Sequence, residues 1–190
     1  MGCFQELSRN TWFFFVEKGE ELMGSNAKNN FVVFLDVDGV LNTRTTCVHT
    51  PSGVYVGVDE ARLVILSKAM KETGADGVVL TTTWKTMRED DEDYIYLVES
   101  LNKHEIRILG KTEENFFSER EEGILRYLEK HSEIEEFVIL DDLHFSFEDY
   151  RELWESFIDT KGKGIENSVF ASKTPSISAI LFLDAIYKYS

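Results

Sequence analysis

Three strongly apolar runs in this chain stop abruptly at polar residues, and that repetition restricts the fold more than any other feature. Phe31-Val32-Val33-Phe34-Leu35 ends in Asp36-Val37-Asp38-Gly39, Gly77-Val78-Val79-Leu80 ends in Thr81-Thr82-Thr83-Trp84, and Phe137-Val138-Ile139-Leu140 ends in Asp141-Asp142. Short runs without alternation suit strands covered on both faces, as in the middle of a parallel sheet. Between them lie helical patterns. Residues 59–73 put Leu63, Leu66 and Met70 on one stripe with Gly74 as the stop, and 91–103 align Tyr94, Leu97, Val98 and Leu101. Ile106-Arg107-Ile108-Leu109 reads as a short strand. Ser118 is a cap for a helix reaching His131, with capping-box spacing to Glu121. Further on, Phe147, Tyr150, Leu153, Trp154 and Phe157 have helical spacing, while 156–160 equally suit a fifth strand before the Gly162/Gly164 turn. Pro175 predicts the start of a last helix to Tyr189. The alternation predicts an α/β fold: a Rossmann-like parallel sheet of about five strands with helices on both faces.

In open α/β sheets ligands bind outside the carboxyl ends of the strands. One edge should therefore collect Asp36, Asp38, Thr81, Thr82, Asp141 and Asp142. Carboxylates held that close raise one another's pKa, and a divalent cation removes the cost. Oxygen-only donors without Cys or paired His favour Mg²⁺ over Zn²⁺. With a metal present an Asp can attack phosphorus, and a second carboxylate two residues on can act as general acid and then base. A strand-end Thr hydroxyl can donate to a phosphoryl oxygen, and Gly39 lets the chain turn sharply. Transition-state charge also needs a cation; Arg120 is the candidate, with Lys85 and Lys111 as alternatives.

These residues resemble a known family. Phe34-Leu35-Asp36-Val37-Asp38-Gly39-Val40-Leu41-Asn42 is similar to the first motif of the haloacid dehalogenase (HAD) superfamily of phosphatases, Thr81 to the second, and Ile139-Leu140-Asp141-Asp142 to the fourth. The run Thr81 to Trp84-Lys85, with Arg120 and Ile124 ahead of Asp141-Asp142, resembles the HAD domains of "Swiss army knife" RNA repair proteins, which usually carry Arg where this chain has Lys85. The resemblance implies an HAD-like fold. It implies that Asp36 becomes an aspartyl phosphate while Asp38 protonates the leaving oxygen and later activates water. It implies Mg²⁺ on the Asp36 carboxylate, the Asp38 carbonyl and Asp142 or Asp141, and a phosphoryl group held by Thr81. Thr82, Gly39, Lys85 and Arg44 are further phosphate or substrate contacts on this reading. Asp38 speaks against dehalogenation, because the dehalogenase branch lacks that acid.

Other readings of the same residues are weaker. Asp-x-Asp-Gly also opens a calcium loop, but Val40 and Leu41 stand where that loop needs an oxygen ligand and Gly. Trp84 could stack on a base, but packing is the stronger expectation. His49, His104, His131 and His144 show no ligand spacing, and 88–93 read as a solvated charged loop. Residues 1–29 read as an extension packed on a domain of 30–190: Trp12-Phe13-Phe14-Phe15-Val16 is too short for a signal peptide, and Glu6 stands where an acylation site wants Ser or Thr. Cys3 and Cys47 cannot build a disulfide framework, so reduced thiols and a cytoplasmic location are expected, with no membrane partner.

Residues 42–58 leave room only for a small flap around Pro51-Ser52-Gly53, and no large cap fits between Thr83 and Arg120. By resemblance, capless members often act on macromolecular ends or phosphoproteins, with Arg44 and His49 on the flap as contact candidates. The leading expectation is a Mg²⁺-dependent phosphatase. A nucleic-acid-end phosphatase is disfavoured by the net charge of −15. A non-catalytic phosphate- or metal-binding protein is disfavoured by retention of every acid.

Overall fold

The structure is a computed structural model and describes residues 30–113 and 119–190. The strands are β1 (Phe31–Leu35), β2 (Gly77–Leu80), β3 (Ile108–Lys111), β4 (Glu136–Asp141), β5 (Phe157–Asp159) and β6 (Val169–Phe170). They form one sheet in the order β3-β2-β1-β4-β5-β6, parallel throughout except for the β5–β6 pair. The helices among the described residues are α1 (Glu60–Thr73), α2 (Glu92–Lys103), α3 (Arg120–Lys130), α4 (Arg151–Ser156) and α5 (Ile177–Tyr189). About five strands were expected; the sixth is a two-residue antiparallel edge with too few residues to leave a periodic signal.

Successive side chains of a strand point to opposite faces, and β1 divides the core accordingly. Phe31, Val33 and Leu35 pack with Leu63 and Leu66 of α1, Leu97 of α2 and Phe182 of α5. Val32 and Phe34 pack with Ile124 of α3 and with Phe147 and Leu153. Phe34 is fully buried and meets Phe137 edge to face at 5.7 Å, so its truncation to Ala should cost about 3–5 kcal/mol.

Local signals set most boundaries. Asp59 caps α1 by accepting the Ala61 N–H, and Gly74 ends it at φ 77°. Asp91 caps α2 through the Asp93 N–H at 2.9 Å. Three expectations shift. The strand expected at 106–109 begins at Ile108, because Ile106 is used to close α2, its N–H bonding to the Leu101 carbonyl at 3.0 Å. Residues 147–159 are both helix and strand: α4 ends at Ser156 and β5 follows directly. The last helix starts at Ile177, capped by Ser176 rather than opened by Pro175. The expected Ser118 cap and the 1–29 extension lie outside the described residues. No helix among the described residues is long and apolar enough to cross a membrane.

Register delivers the strand ends together. Leu35 lies beside Leu80 on one side and Leu140 on the other. The ladder then runs one step further, with the Asp36 N–H on the Leu140 carbonyl at 2.9 Å and the Thr81 N–H on the Leu35 carbonyl at 3.0 Å. The chain leaves β1 toward β2 and β3, then returns to β4 on the other side. That reversal opens the crevice in which such sheets bind ligands. Above it, residues 48–57 fold back as a hairpin, with Thr50 N–H to Tyr55 C=O at 3.1 Å and Gly57 N–H to Val48 C=O at 2.8 Å. The hairpin is pinned to α2 by the Ser52 N–H on Asp93 at 3.0 Å and the Val58 N–H on the Tyr96 hydroxyl at 3.2 Å.

Candidate active site

The strand-end acids converge. Asp36, Asp141 and Asp142 each bring a carboxylate oxygen within 4.8 Å of the others. Asp36 and Asp141 are buried and Asp142 is half-buried.

Arg120, from the first turn of α3, enters the cluster. Its Nη1 lies 3.2 Å from Asp36 Oδ2 and also pairs with Asp141 Oδ2. The guanidinium sits 4.6 Å from the centre of the Phe145 ring, which limits its freedom. One guanidinium does not satisfy three acids. Burial pushes Asp36 above the usual carboxylate range against the pull of Arg120. Burial and the neighbouring Asp36 push Asp141 up to about 7, and the same two causes raise Asp142. An all-oxygen set that protonates so readily is short of positive charge, which fits a hard divalent cation.

The two adjacent acids differ in their engagement. Asp141 Oδ1 accepts the Leu143 N–H at 3.0 Å while Oδ2 meets Arg120, so both oxygens are occupied. Asp142 lines the cleft. It also explains Gly39, which has φ 80° and whose Cβ, if present, would collide with the Asp142 carboxylate.

Asp38 is held apart from the cluster. Its Oδ2 accepts the Trp84 indole N–H at 3.1 Å and its Oδ1 accepts the Asn42 amide at 2.9 Å. Asn42 also donates to the Val56 carbonyl at 3.1 Å, tying Asp38 to the hairpin. Trp84 is fully buried beneath Tyr55, with ring centres 5.5 Å apart. Trp84 therefore does pack, as expected, but it also orients an acid at the cleft, which the sequence reading missed. In the sequence Asn42 stands out only as the end of the first motif. The available signal was proximity in the chain: four residues after Asp38, an amide can turn back onto it.

The other sequence-predicted residues divide. Thr81 Oγ1 is buried without a hydrogen-bond partner. Thr82 hydrogen-bonds the Asp36 carboxylate and also caps the 3-10 turn of Thr83–Thr86. Arg44 and Gly39 line the cleft. Lys85 Nζ bonds the Thr112 hydroxyl at 2.7 Å, and Lys111 Nζ lies 3.9 Å from the Tyr94 ring centre; neither lines the cleft. Of the three candidate cations, Arg120 is the one at Asp36. His49 sits on the hairpin opposite Val56, and His144 meets Asp159 at 3.0 Å. Lys161 and Lys163 line the cleft, and neither was singled out from the sequence.

The cleft measures about 740 Å³. A family model described as the HAD domain in Swiss Army Knife RNA repair proteins matches residues 32–168. No curated protein and no solved structure matches the chain. The match covers most of the sequence and takes in Asp36, Asp38, Thr81, Arg120, Asp141 and Asp142, so this chain belongs to the family of HAD domains found in Swiss Army Knife RNA repair proteins.

Proposed function

We propose that the protein is a Mg²⁺-dependent phosphohydrolase that cleaves phosphate monoesters through an aspartyl phosphate on Asp36. One observation carries the reading. Asp36 lies at the floor of an open cleft between Arg120 and Asp142, with a second carboxylate, Asp38, clamped two residues away. A carboxylate oxygen of Asp36 attacks phosphorus, and the bond to the leaving oxygen breaks as Asp38 gives that oxygen its proton. Water then attacks the aspartyl phosphate, Asp38 takes a proton from it, and inorganic phosphate leaves Asp36 free.

Arg120 holds the Asp36 oxygen that is not attacking and offsets charge on the transferring group. The unpartnered Thr81 hydroxyl supports a role as donor to a phosphoryl oxygen, since a buried hydroxyl without a partner is costly unless a ligand meets it. Asp36, the Asp38 backbone carbonyl and Asp142 would hold Mg²⁺, with Asp141 fixed behind them by Arg120 and the Leu143 N–H. The ion would supply shielding between the anionic nucleophile and the anionic phosphate.

A second reading, a phosphatase for nucleic-acid ends, is favoured by the family description and opposed by the net charge of −15. The test is release of phosphate from a generic aryl phosphate. Turnover should require Mg²⁺ and vanish in Asp36→Asn. Absence of Mg²⁺-dependent turnover across sugar phosphates, nucleotides, phosphopeptides and oligonucleotides would refute it.

A further inference from the structure

We infer that the rim of this cleft is a second anion subsite, formed by Arg44, Lys161 and Lys163, that binds another phosphate of the same substrate. The inference rests on the phosphohydrolase reading above and adds what the substrate must carry. Four cationic side chains line the cleft against three acidic ones, in a chain whose net charge is −15. The positive side chains are layered. Arg120, its side chain 11% exposed, lies at the floor with Asp36, while Arg44, Lys161 and Lys163 are exposed at the mouth.

Most other surface cations are spent on acidic neighbours: Lys71 on Glu105, Lys103 on Glu60, Lys130 on Glu113 and Lys188 on Glu72. No ion pair joins Arg44, Lys161 or Lys163 to an acid among the described residues. Three cations without an acidic partner thus surround one opening. The cleft volume of about 740 Å³ is in the range that takes a whole small ligand, more than a single phosphate needs.

The rim is also fixed in place. The loop carrying Lys161 and Lys163 is tied to the first strand end: Thr160 Oγ1 and the Gly164 N–H both donate to the Gly39 carbonyl, at 2.9 and 3.1 Å. The Lys161 N–H donates to Asp159 at 2.7 Å. Arg62, 8% exposed, then cross-links the two halves. Its guanidinium donates to the Thr43 and Thr46 hydroxyls at the base of the flap, at 3.4 and 3.2 Å, and to the Lys163 carbonyl at 3.5 Å. The pair it makes with Glu166 at 2.8 Å holds that geometry. Arg44 and the two lysines therefore face the opening from tethered backbone.

The substrate class is a phosphate monoester with a further phosphate close by. A small bisphosphate and the phosphorylated end of a short oligonucleotide both offer this chemistry. The experiment compares kcat/KM with Mg²⁺ for a nucleoside 3′-monophosphate, the matching 3′,5′-bisphosphate and a 3′-phosphorylated oligonucleotide. Charge-assisted contacts to one added phosphate should favour the bisphosphate over the monophosphate by about tenfold or more at low salt, with the advantage shrinking as salt rises. In the double variant Lys161→Ala/Lys163→Ala, and separately in Arg44→Ala, the bisphosphate-to-monophosphate ratio should fall toward one. An oligonucleotide ratio well above the bisphosphate ratio identifies the longer chain as the source of the second phosphate; equal ratios identify the small ligand.

Binding to Asp36→Asn, measured by titration with the same two nucleotides, separates this inference from the one it rests on. A bisphosphate preference that disappears in the lysine double variant upholds the subsite even if nothing is turned over. Equal affinities for mono- and bisphosphate, with kcat/KM equal across the monophosphate, the bisphosphate and the oligonucleotide in the unsubstituted protein, overturn it, even if aryl phosphate is hydrolysed.

Discussion

Replacing Trp84 by Phe removes one hydrogen bond from Asp38 and leaves most of the ring packing against Tyr55. The bond is 3.1 Å from the indole nitrogen to Oδ2, and the other oxygen keeps Asn42 at 2.9 Å. Hydrogen bonds to charged groups contribute about 1.5–3 kcal/mol. If the indole serves to aim Asp38, its loss should lower the first chemical step by about tenfold to a hundredfold. The loss should depend on the leaving group. An alkyl phosphate needs its leaving oxygen protonated, whereas p-nitrophenolate leaves without help. Because kcat/KM reports steps up to formation of the aspartyl phosphate, the variant should lose activity on the alkyl substrate and keep most of it on p-nitrophenyl phosphate. Trp84 is fully buried, so trimming it also costs stability, about 1–2 kcal/mol for the lost volume, which a Tm measurement reads separately. Equal losses on both substrates, with Tm lowered, would mean that Trp84 only packs.

Two further outcomes follow from the burial of the site. Thr81→Val removes a buried hydroxyl that has no partner, so Tm should hold or rise while kcat/KM falls about tenfold or more; unchanged kcat/KM would remove Thr81 from phosphate binding. In the metal-free protein the carboxyl of Asp141 is raised from its ordinary value near 4 to about 7, so the folded state binds the proton more tightly than the unfolded chain. That stability is fully present at low pH and is lost as pH rises from about 4 through about 7. Burial also raises Asp36 and Asp142, the acids proposed to hold the ion; a bound cation needs them deprotonated, so the Tm increase on adding Mg²⁺ should grow between pH 5 and pH 8. A pH-independent increase would argue against these acids as the ligand set.

Short-range patterning made the sheet and its carboxyl edge legible. Leu35, Leu80 and Leu140 each precede the residue that turns polar, and the structure sets the three side by side. What stayed hidden depends on contacts distant in sequence. Nothing local to Trp84 says that its indole reaches a carboxylate 46 residues earlier in the chain, and only the fold tells Arg120 from Lys85 and Lys111. β6 was invisible because two residues carry no period. Lys161 and Lys163 could have been found by applying the carboxyl-edge rule to β5 as well, since they follow its last residue, Asp159.

The most direct measurement is acid quenching during Mg²⁺-supported turnover, followed by mass analysis of the digested chain. The account predicts one phosphoryl group on the peptide containing Asp36, labile to hydroxylamine and absent in Asp36→Asn. Robust turnover with no modified Asp36, or with the phosphoryl group on another residue, would contradict it.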